Sequence, residues 1–389
     1  MKIAGIISEF NPFHNGHKYI VDRAKAEGDA VVAVMSGNFS ERGEPTVVDK
    51  YTRAEMALKC GVDLVLELPF PSASSSAEYF AEAGVRVLDR VGASKIVFGS
   101  ECGDISILKR AAEVARNAEF LEAYKNRELS DNKGSAEAYF ELVNEFLGED
   151  VRLSSNDMLG VEYIKAIAKN GFLIEPVTAK RLGDGFLSES VGESDFASAT
   201  ALRNLISDGT DGFSQYMPKE AYKVLCEAVK NGDAPVLYEN IERGILLFLR
   251  IVDKKELDSI AELSGGLGNR LAEAAHKSDS LDELIKNTST KKYTTSKIRR
   301  GILNAVLGVR NEDIRQIFYT SVLGVNETGR AILSELRKKD GEIAIVTKPA
   351  DAPECRQKEL SDKADALYSL SYKEAKTSDF VYKKRIYIG

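Results

Sequence analysis

Four cysteines are all that the 389 residues contain, and Cys60, Cys102, Cys226 and Cys355 are scattered along the chain. That spacing excludes a zinc-finger pattern and a disulfide framework, and it fits a reducing compartment. Apolar runs are short. None approaches the roughly 20 residues needed to cross a bilayer, and the N-terminus enters an apolar segment without a charged leader. The expectation is a soluble, unprocessed, cytoplasmic protein with no membrane partner. There is no Gly-x-x-x-x-Gly-Lys-Ser/Thr run and no Gly-x-Gly-x-x-Gly opening a helix, so P-loop chemistry and the dinucleotide fingerprint are both unsupported. The net charge of -7 argues against an overall basic coat, although net charge governs solubility and says little about a local site.

Histidine is scarcer still. Only three occur, and two of them, His14 and His17, share one turn. The apolar run Ile3 to Ile7 reads as a buried first strand. Asn11-Pro12 then breaks it, because proline cannot continue a central strand. A helix is predicted to begin near Asn15, which sets its first free amides and the positive end of its dipole beside both imidazoles, an arrangement suited to an anion. Gly16 between them lets a ligand approach the backbone. The plainer alternative is that both histidines only close a turn and cap a helix.

Alternation of apolar strands and helical stretches up to about residue 205 predicts a doubly wound α/β parallel sheet. The strands are expected at Ile3 to Ile7, Ala30 to Met35, Leu64 to Leu66, Ile96 to Phe98 and Glu175 to Arg181. Helices are expected at Thr52 to Cys60, Ala77 to Val91, Asp157 to Ala168 and as a pair within 105 to 148, joined by the polar stretch Asn126 to Gly134. In such sheets ligands bind beyond the carboxyl ends of the strands, and the loops there hold the suspicious residues. Gly183 to Ser194 reads as a loop. Ser198 and Thr200 can cap the helix that follows, and Arg203 one turn on could reach a phosphate; an ordinary capped helix with a surface arginine is the alternative.

From Asp211 onward helical periodicity takes over, with helices expected at Lys219 to Lys230, Ile241 to Val252, Leu257 to Leu263, Arg270 to Ala275, Lys297 to Leu307 and Ala331 to Leu336, and a strand at Ile343 to Thr347. The division is therefore a catalytic domain, 1–208, and a mainly helical domain, 209–389. Lys286 to Arg310 contains seven Lys or Arg and no Asp or Glu. Basic side chains with threonines and a tyrosine between them can contact phosphate and stack on bases, although a charge run can equally be a solvated helix face.

Phe10-Asn11-Pro12-Phe13-His14-Asn15-Gly16-His17 resembles the signature of the HxGH nucleotidyltransferases, and in its longer form that of the bacterial tRNA(Met) cytidine acetate ligases. Ser36-Gly37-Asn38-Phe39, Arg42-Gly43-Glu44-Pro45, Asp63 to Pro69, Phe98-Gly99-Ser100-Glu101, Ser155 to Gly160, Lys292-Tyr293-Thr294 and Lys297 to Arg300 extend the resemblance over most of the chain. Two positions depart from it: Ile20, where the family has histidine, and Ser40, where it has glutamine. The resemblance implies that His14 and His17 are catalytic. It implies that ATP, with Mg²⁺, is held by Ile7, Ser8, Glu9, Phe10, Asn11, Pro12, Phe13, His14, Asn15, Gly16, His17, Lys18, Tyr19 and Ile20, and by Gly99, Asn156 and Arg181, with Ser198, Thr200 and Arg203 at the triphosphate. Lys291, Lys292, Arg299 and Arg300 are the expected tRNA contacts.

It implies further that acetate is activated as acetyl-adenylate and passed to the wobble cytidine of elongator tRNA(Met), giving N4-acetylcytidine. Adenylyl transfer of this kind needs positioning and electrostatic stabilisation at the phosphates and no protein nucleophile. Two other readings remain open on the residues alone. One is a small-molecule adenylyltransferase acting on a phosphorylated coenzyme precursor, which needs no basic helical domain; the other is an RNA-binding adaptor with a catalytically silent nucleotide site.

Overall fold

The computed structural model describes residues 1–130, 135–148, 153–181, 198–209 and 212–389. Five strands come from the first half: β1 (Ile3–Ser8), β2 (Ala30–Ser36), β3 (Leu64–Leu68), β4 (Ala93–Ser100) and β5 (Glu175–Lys180). Isoleucine and valine recur in β1 and β2, and β2 is buried along its whole length, as a parallel strand covered on both faces must be. Alternate side chains feed two separate cores: Ile3, Ile7, Val32 and Val34 point to one face, Ala4, Ile6, Val31, Ala33 and Met35 to the other. Helices α1 (Asn15–Glu27) and α2 (Lys50–Lys59) cover the second face, while α3 (Ala77–Arg90) and the helix Ser155–Asn170 cover the first.

The strand order is β5-β4-β1-β2-β3-β6-β7, with β6 (Tyr319–Val325) and β7 (Ala344–Val346) supplied by the C-terminal part and β8 (Tyr387–Ile388) pairing with β6. Strands β1 to β5 are mutually parallel. From β1 the chain goes outward to β2 and β3, then returns to place β4 and β5 on the other side. The reversal sets a switch point beyond the carboxyl ends of β1 and β4, the place of the crevice in which such sheets bind ligands.

One junction is antiparallel: β6 lies against β3 with Leu64 opposite Val325. The sheet therefore crosses the expected 208/209 boundary, since β6, β7 and β8 are supplied from beyond it. Tyr319 to Val325 has aromatic and β-branched residues, but its partner is the open edge of β3, some 250 residues earlier, a constraint that no local periodicity carries. Three helices, Ile105–Val114, Ala118–Ser130 and Ser135–Leu147, replace the expected pair within 105 to 148. The added break falls at Asn117, whose side chain accepts from the Glu119 amide at 2.8 Å. The helix expected at Leu257 to Leu263 is confined to Lys254–Leu257, and Glu262 beyond it has a φ of 72°. A helix at Leu281–Thr288, capped by Ser280, is additional. The Gly183 to Ser194 loop, the approach through Phe196 and Ala197, and the Asp211 boundary lie outside the described residues, as does part of Asn126 to Gly134.

The C-terminal helix Arg356–Leu370 returns to the strand ends. Its Asp365 accepts from Lys50 Nζ at 2.9 Å, and Glu67 of β3 accepts from the same nitrogen at 2.8 Å. Asn38 donates to the other Asp365 oxygen at 2.8 Å, and Tyr368 donates to the Thr46 carbonyl at 2.9 Å. Among the described residues no helix is long and apolar enough to cross a membrane. Asp365→Ala would leave Lys50 with Glu67 as its remaining partner and strip Asn38 of a buried acceptor, so it is expected to cost about 1–3 kcal/mol of stability, measured by urea unfolding. A loss within the range of an ordinary surface substitution would show that the cluster does not hold the C-terminal helix in place.

Candidate active site

The turn between β1 and α1 is built around a reciprocal cap. His14 is the N-cap residue of α1; its Nδ1 accepts from the Gly16 amide at 3.0 Å, and His17 Nδ1 accepts from the His14 amide at 3.2 Å. The rings stack with centroids 3.7 Å apart. Both are therefore cap histidines in the literal sense, and their use of Nδ1 as acceptor puts the proton of each neutral ring on Nε2. Gly16 is required by contact: a Cβ there would lie 2.8 Å from His14 Cε1. Phe10 and Phe13 wall the His17 ring at 5.0 and 5.6 Å between centroids. Phe10 itself has a φ of 46°, a left-handed backbone that costs a residue with a Cβ about 1–3 kcal/mol and that clusters at functional sites.

Loss of hydration is the first cause that lowers both histidines. His14 is pushed down to about 3 from an ordinary 6.5, with the Arg181 and Arg203 charges adding to the effect. His17 falls well below its ordinary value, driven next by His14 and Arg181, while a backbone hydrogen bond at Pro12 acts the other way. The site thus presents neutral imidazoles among fixed guanidinium charges.

Arg203 is aimed into the turn. Its Nη1 donates to the Asn11 carbonyl at 3.1 Å and its Nη2 to Thr200 Oγ1 at 3.0 Å, while Ser198 caps the same helix, Ala199–Ser207, by accepting from the Ala201 amide at 3.0 Å. Across the crevice, Gly99 at the end of β4 gives room to Arg181, whose Cγ would sit 3.1 Å from an added Cβ. Arg181 Nε lies 3.3 Å from Glu101 Oε1, and Asn156 Nδ2 donates to the same oxygen at 2.6 Å. Glu101 is thus the residue that joins Asn156 to Arg181. It is absent from the sequence-derived candidates although it ends the Phe98 to Glu101 run that pointed there.

The remaining candidates divide. Ile7, Ser8, Glu9, Pro12 and Asn15 line the strand end and the turn, and Asn15 Nδ2 also donates to the Gln215 carbonyl at 2.8 Å. Lys18 is spent on Asp22 at 2.5 Å, one turn along the helix. Tyr19 and Ile20 are half-buried on α1, with Ile20 packed against the apolar core. Ser40, the other departure, closes a tight turn by donating its amide to the Glu44 carbonyl at 2.8 Å. Lys291 and Lys292 are exposed at the start of the helix Thr295–Leu307, Lys292 over the Tyr293 ring at 5.5 Å. Arg299 and Arg300, by contrast, turn inward to Glu44 at 2.6 Å and Glu41 at 3.0 Å. Arg53 was not foreseen at all. It is fully buried, with Nη1 donating to the Glu9 carbonyl at 2.6 Å and the Ser36 carbonyl at 3.0 Å and Nε to the Val48 carbonyl at 3.0 Å.

A His-x-Gly-His turn at the switch point of a doubly wound sheet defines the nucleotidyl transferase class, and the HIGH Nucleotidyl Transferase family model matches residues 1–382. Within that class, the tRNA(Met) cytidine acetate ligase of Caldanaerobacter subterraneus subsp. tengcongensis is 38% identical, covering 96% of both chains. The enzyme of the same name from Acetivibrio thermocellus is 34% identical, again over 96% of each. The crystal structure of Thermotoga maritima TmcAL (apo, form I) superposes with a TM-score of 0.91 at 33% identity, covering 100% of this chain and 99% of that one. The same protein bound with alpha-thio ATP gives 0.89 at 32% identity over the whole of both chains. The chain belongs to the tRNA(Met) cytidine acetate ligase family.

The histidines set a pH dependence. Below about pH 6.5 an unfolded histidine takes up a proton that native His14 refuses until about 3. Stability should fall with pH in that window by at most about 1.4 kcal/mol per pH unit for each such group. Glu41 works against this, since burial pushes its carboxyl up to about 7 and the native state gains a proton first. Comparing His14→Gln with the parent isolates the histidine: urea unfolding between pH 7 and 5 should show a smaller loss in the variant. Parallel pH profiles would mean that His14 titrates normally.

Proposed function

We propose that the chain activates acetate with ATP at the His14–His17 turn and transfers the acetyl group to the exocyclic amine of the wobble cytidine of elongator tRNA(Met), giving N4-acetylcytidine. The observation that carries this reading is the convergence of two neutral, Nε2-protonated imidazoles, a helix N-terminus and the Arg181 and Arg203 guanidiniums on one crevice. The names of full-length relatives and the alpha-thio ATP bound to the Thermotoga maritima protein support it.

An acetate oxygen attacks the α-phosphorus and the bond to pyrophosphate breaks. Charge grows on the phosphate oxygens, and His14 and His17 meet it by donating from Nε2 while keeping their own protons. Neutral donors suit this step, since they need not be charged in advance and are already oriented by the cap. Arg203 takes the departing triphosphate end, and Gly99, Asn156 and Arg181 hold the nucleotide from the β4 side. Among the described residues no cluster of three His, Cys, Asp or Glu side chains could hold a metal, so Mg²⁺ fits as an ion carried by the triphosphate, as it commonly is. It supplies charge neutralisation there. In the second step the cytidine amine attacks the acetyl carbonyl, the bond to AMP breaks, and the amine proton leaves. A mixed anhydride is needed because that amine is a poor nucleophile. Lys291 and Lys292 hold the RNA backbone, which positions the substrate without reading its bases.

Acetate-dependent pyrophosphate release from ATP, followed by incorporation of labelled acetate into tRNA, tests the proposal directly. His17→Ala and His14→Ala are each expected to lower the first rate by on the order of a hundredfold, the usual cost of one electrostatic donor. Replacing Lys291 and Lys292 with glutamine should weaken tRNA binding and reduce its salt slope by about two, one for each lost phosphate contact. Pyrophosphate release that ignores acetate would reject the acetate reading.

A further inference from the structure

The loop that leaves β2 lies directly on the helix Thr295–Leu307. Gly43 there has a φ of 79°, and a Cβ on it would stand 2.7 Å from the Arg300 amide nitrogen and 2.9 Å from the Arg299 carbonyl carbon, so the two backbones touch. Ion pairs flank the contact. Arg299 Nη1 lies 2.6 Å from Glu44 Oε1; Arg300 Nη1 lies 3.0 Å from Glu41 Oε1, and its Nε 2.9 Å from Glu262 Oε1. With only 9% of its side chain exposed, Arg300 has little surface to offer an RNA phosphate.

The loop in turn grips the nucleotide turn. The Glu41 amide donates to Glu9 Oε1 at 2.7 Å, and the Val47 amide donates to Asn11 Oδ1 at 2.8 Å. Glu9 and Asn11 belong to the turn that leads to His14, and Asn11 is the residue whose carbonyl receives Arg203. Glu9, Glu41 and Glu262 would crowd one another without the Arg300 charge between them. Its removal would leave Glu41, whose carboxyl burial already pushes up to about 7, to take up a proton, so that the ion pair tying the loop to the helix is lost.

We propose that Arg299 and Arg300 are positioning residues for the nucleotide site, not RNA contacts: through Glu44 and Glu41 they set the loop that holds Glu9 and Asn11. This rests on the reading of the His14–His17 turn as the nucleotide site. It needs neither acetate nor RNA to be the substrate.

The test is binding of a non-hydrolysable ATP analogue and, separately, of tRNA(Met) by the full chain. Arg299→Gln and Glu44→Gln are each expected to weaken analogue binding by about tenfold, and the double variant by no more than either alone, because the two side chains act as one unit. Arg299→Lys should recover most of the loss, which general loosening of the fold would not predict. Arg300→Gln should act in the same direction; if that variant does not fold, the partly exposed Arg299–Glu44 pair carries the test alone. Parental analogue binding in Arg299→Gln with a drop in tRNA affinity would overturn the proposal and return both arginines to the RNA surface. Additive losses in the double variant would also overturn it. A chain that binds the analogue as expected but releases no pyrophosphate with acetate would leave this inference standing while the acetate reading fails.

Discussion

The reciprocal cap at the start of α1 constrains everything around the site. Serine, threonine and aspartate are the usual N-caps because a short side-chain oxygen can accept a helix amide. Here imidazole nitrogens do that work, and acceptance by Nδ1 leaves each neutral ring only one proton, on the side away from the helix. Tautomer, ring orientation and burial are thus set by a single local arrangement. Neutrality follows from the same burial, reinforced by Arg181 and Arg203, so charge on the site is carried by guanidiniums that cannot lose it. An anion placed here would oppose those guanidiniums and lift the imidazoles toward their ordinary range.

Much of the first half was legible because its signals are local. Strands β1 to β5 are short apolar runs bounded by turn residues, and their ends fall within a few residues of the expected positions. The His-x-Gly-His turn declared itself through two of three histidines lying four positions apart at inclusive count, in a strand-turn-helix setting. What escaped was long-range. Strand β6 takes its identity from the edge of β3, and the helix Arg356–Leu370 is placed by Lys50 and Thr46 more than 300 positions away. Arg53 carries no motif at all: its function is to satisfy backbone carbonyls at the ends of β1 and β2, which only the assembled sheet brings together.

The basic segment shows why charge counts mislead when read without partners. Lys286 to Arg310 is one electropositive stretch in the sequence. In the fold it splits by burial: Lys291 and Lys292 face solvent, while Arg299 and Arg300 meet glutamates from the β2 loop. The residue types match the split. Arginine offers several donors in a fixed plane and suits enclosed ion pairs, whereas lysine, a strongly hydrated point charge, suits an open phosphate-facing surface.

The antiparallel β3–β6 junction has a consequence for how the protein is made. Strand β3 is complete once residue 68 has emerged, but the strand that covers its edge ends at residue 325. At about 5–20 residues per second of synthesis, that edge waits on the order of ten seconds or more for its partner. During that interval a half-finished parallel sheet presents unpaired amides and carbonyls to whatever is nearby, and pairing of that kind between chains is a route to aggregation. A nascent chain arrested before residue 319 should therefore be a stronger client for ribosome-bound chaperones than one arrested after residue 325, even though the whole His14–His17 turn has been synthesised in both.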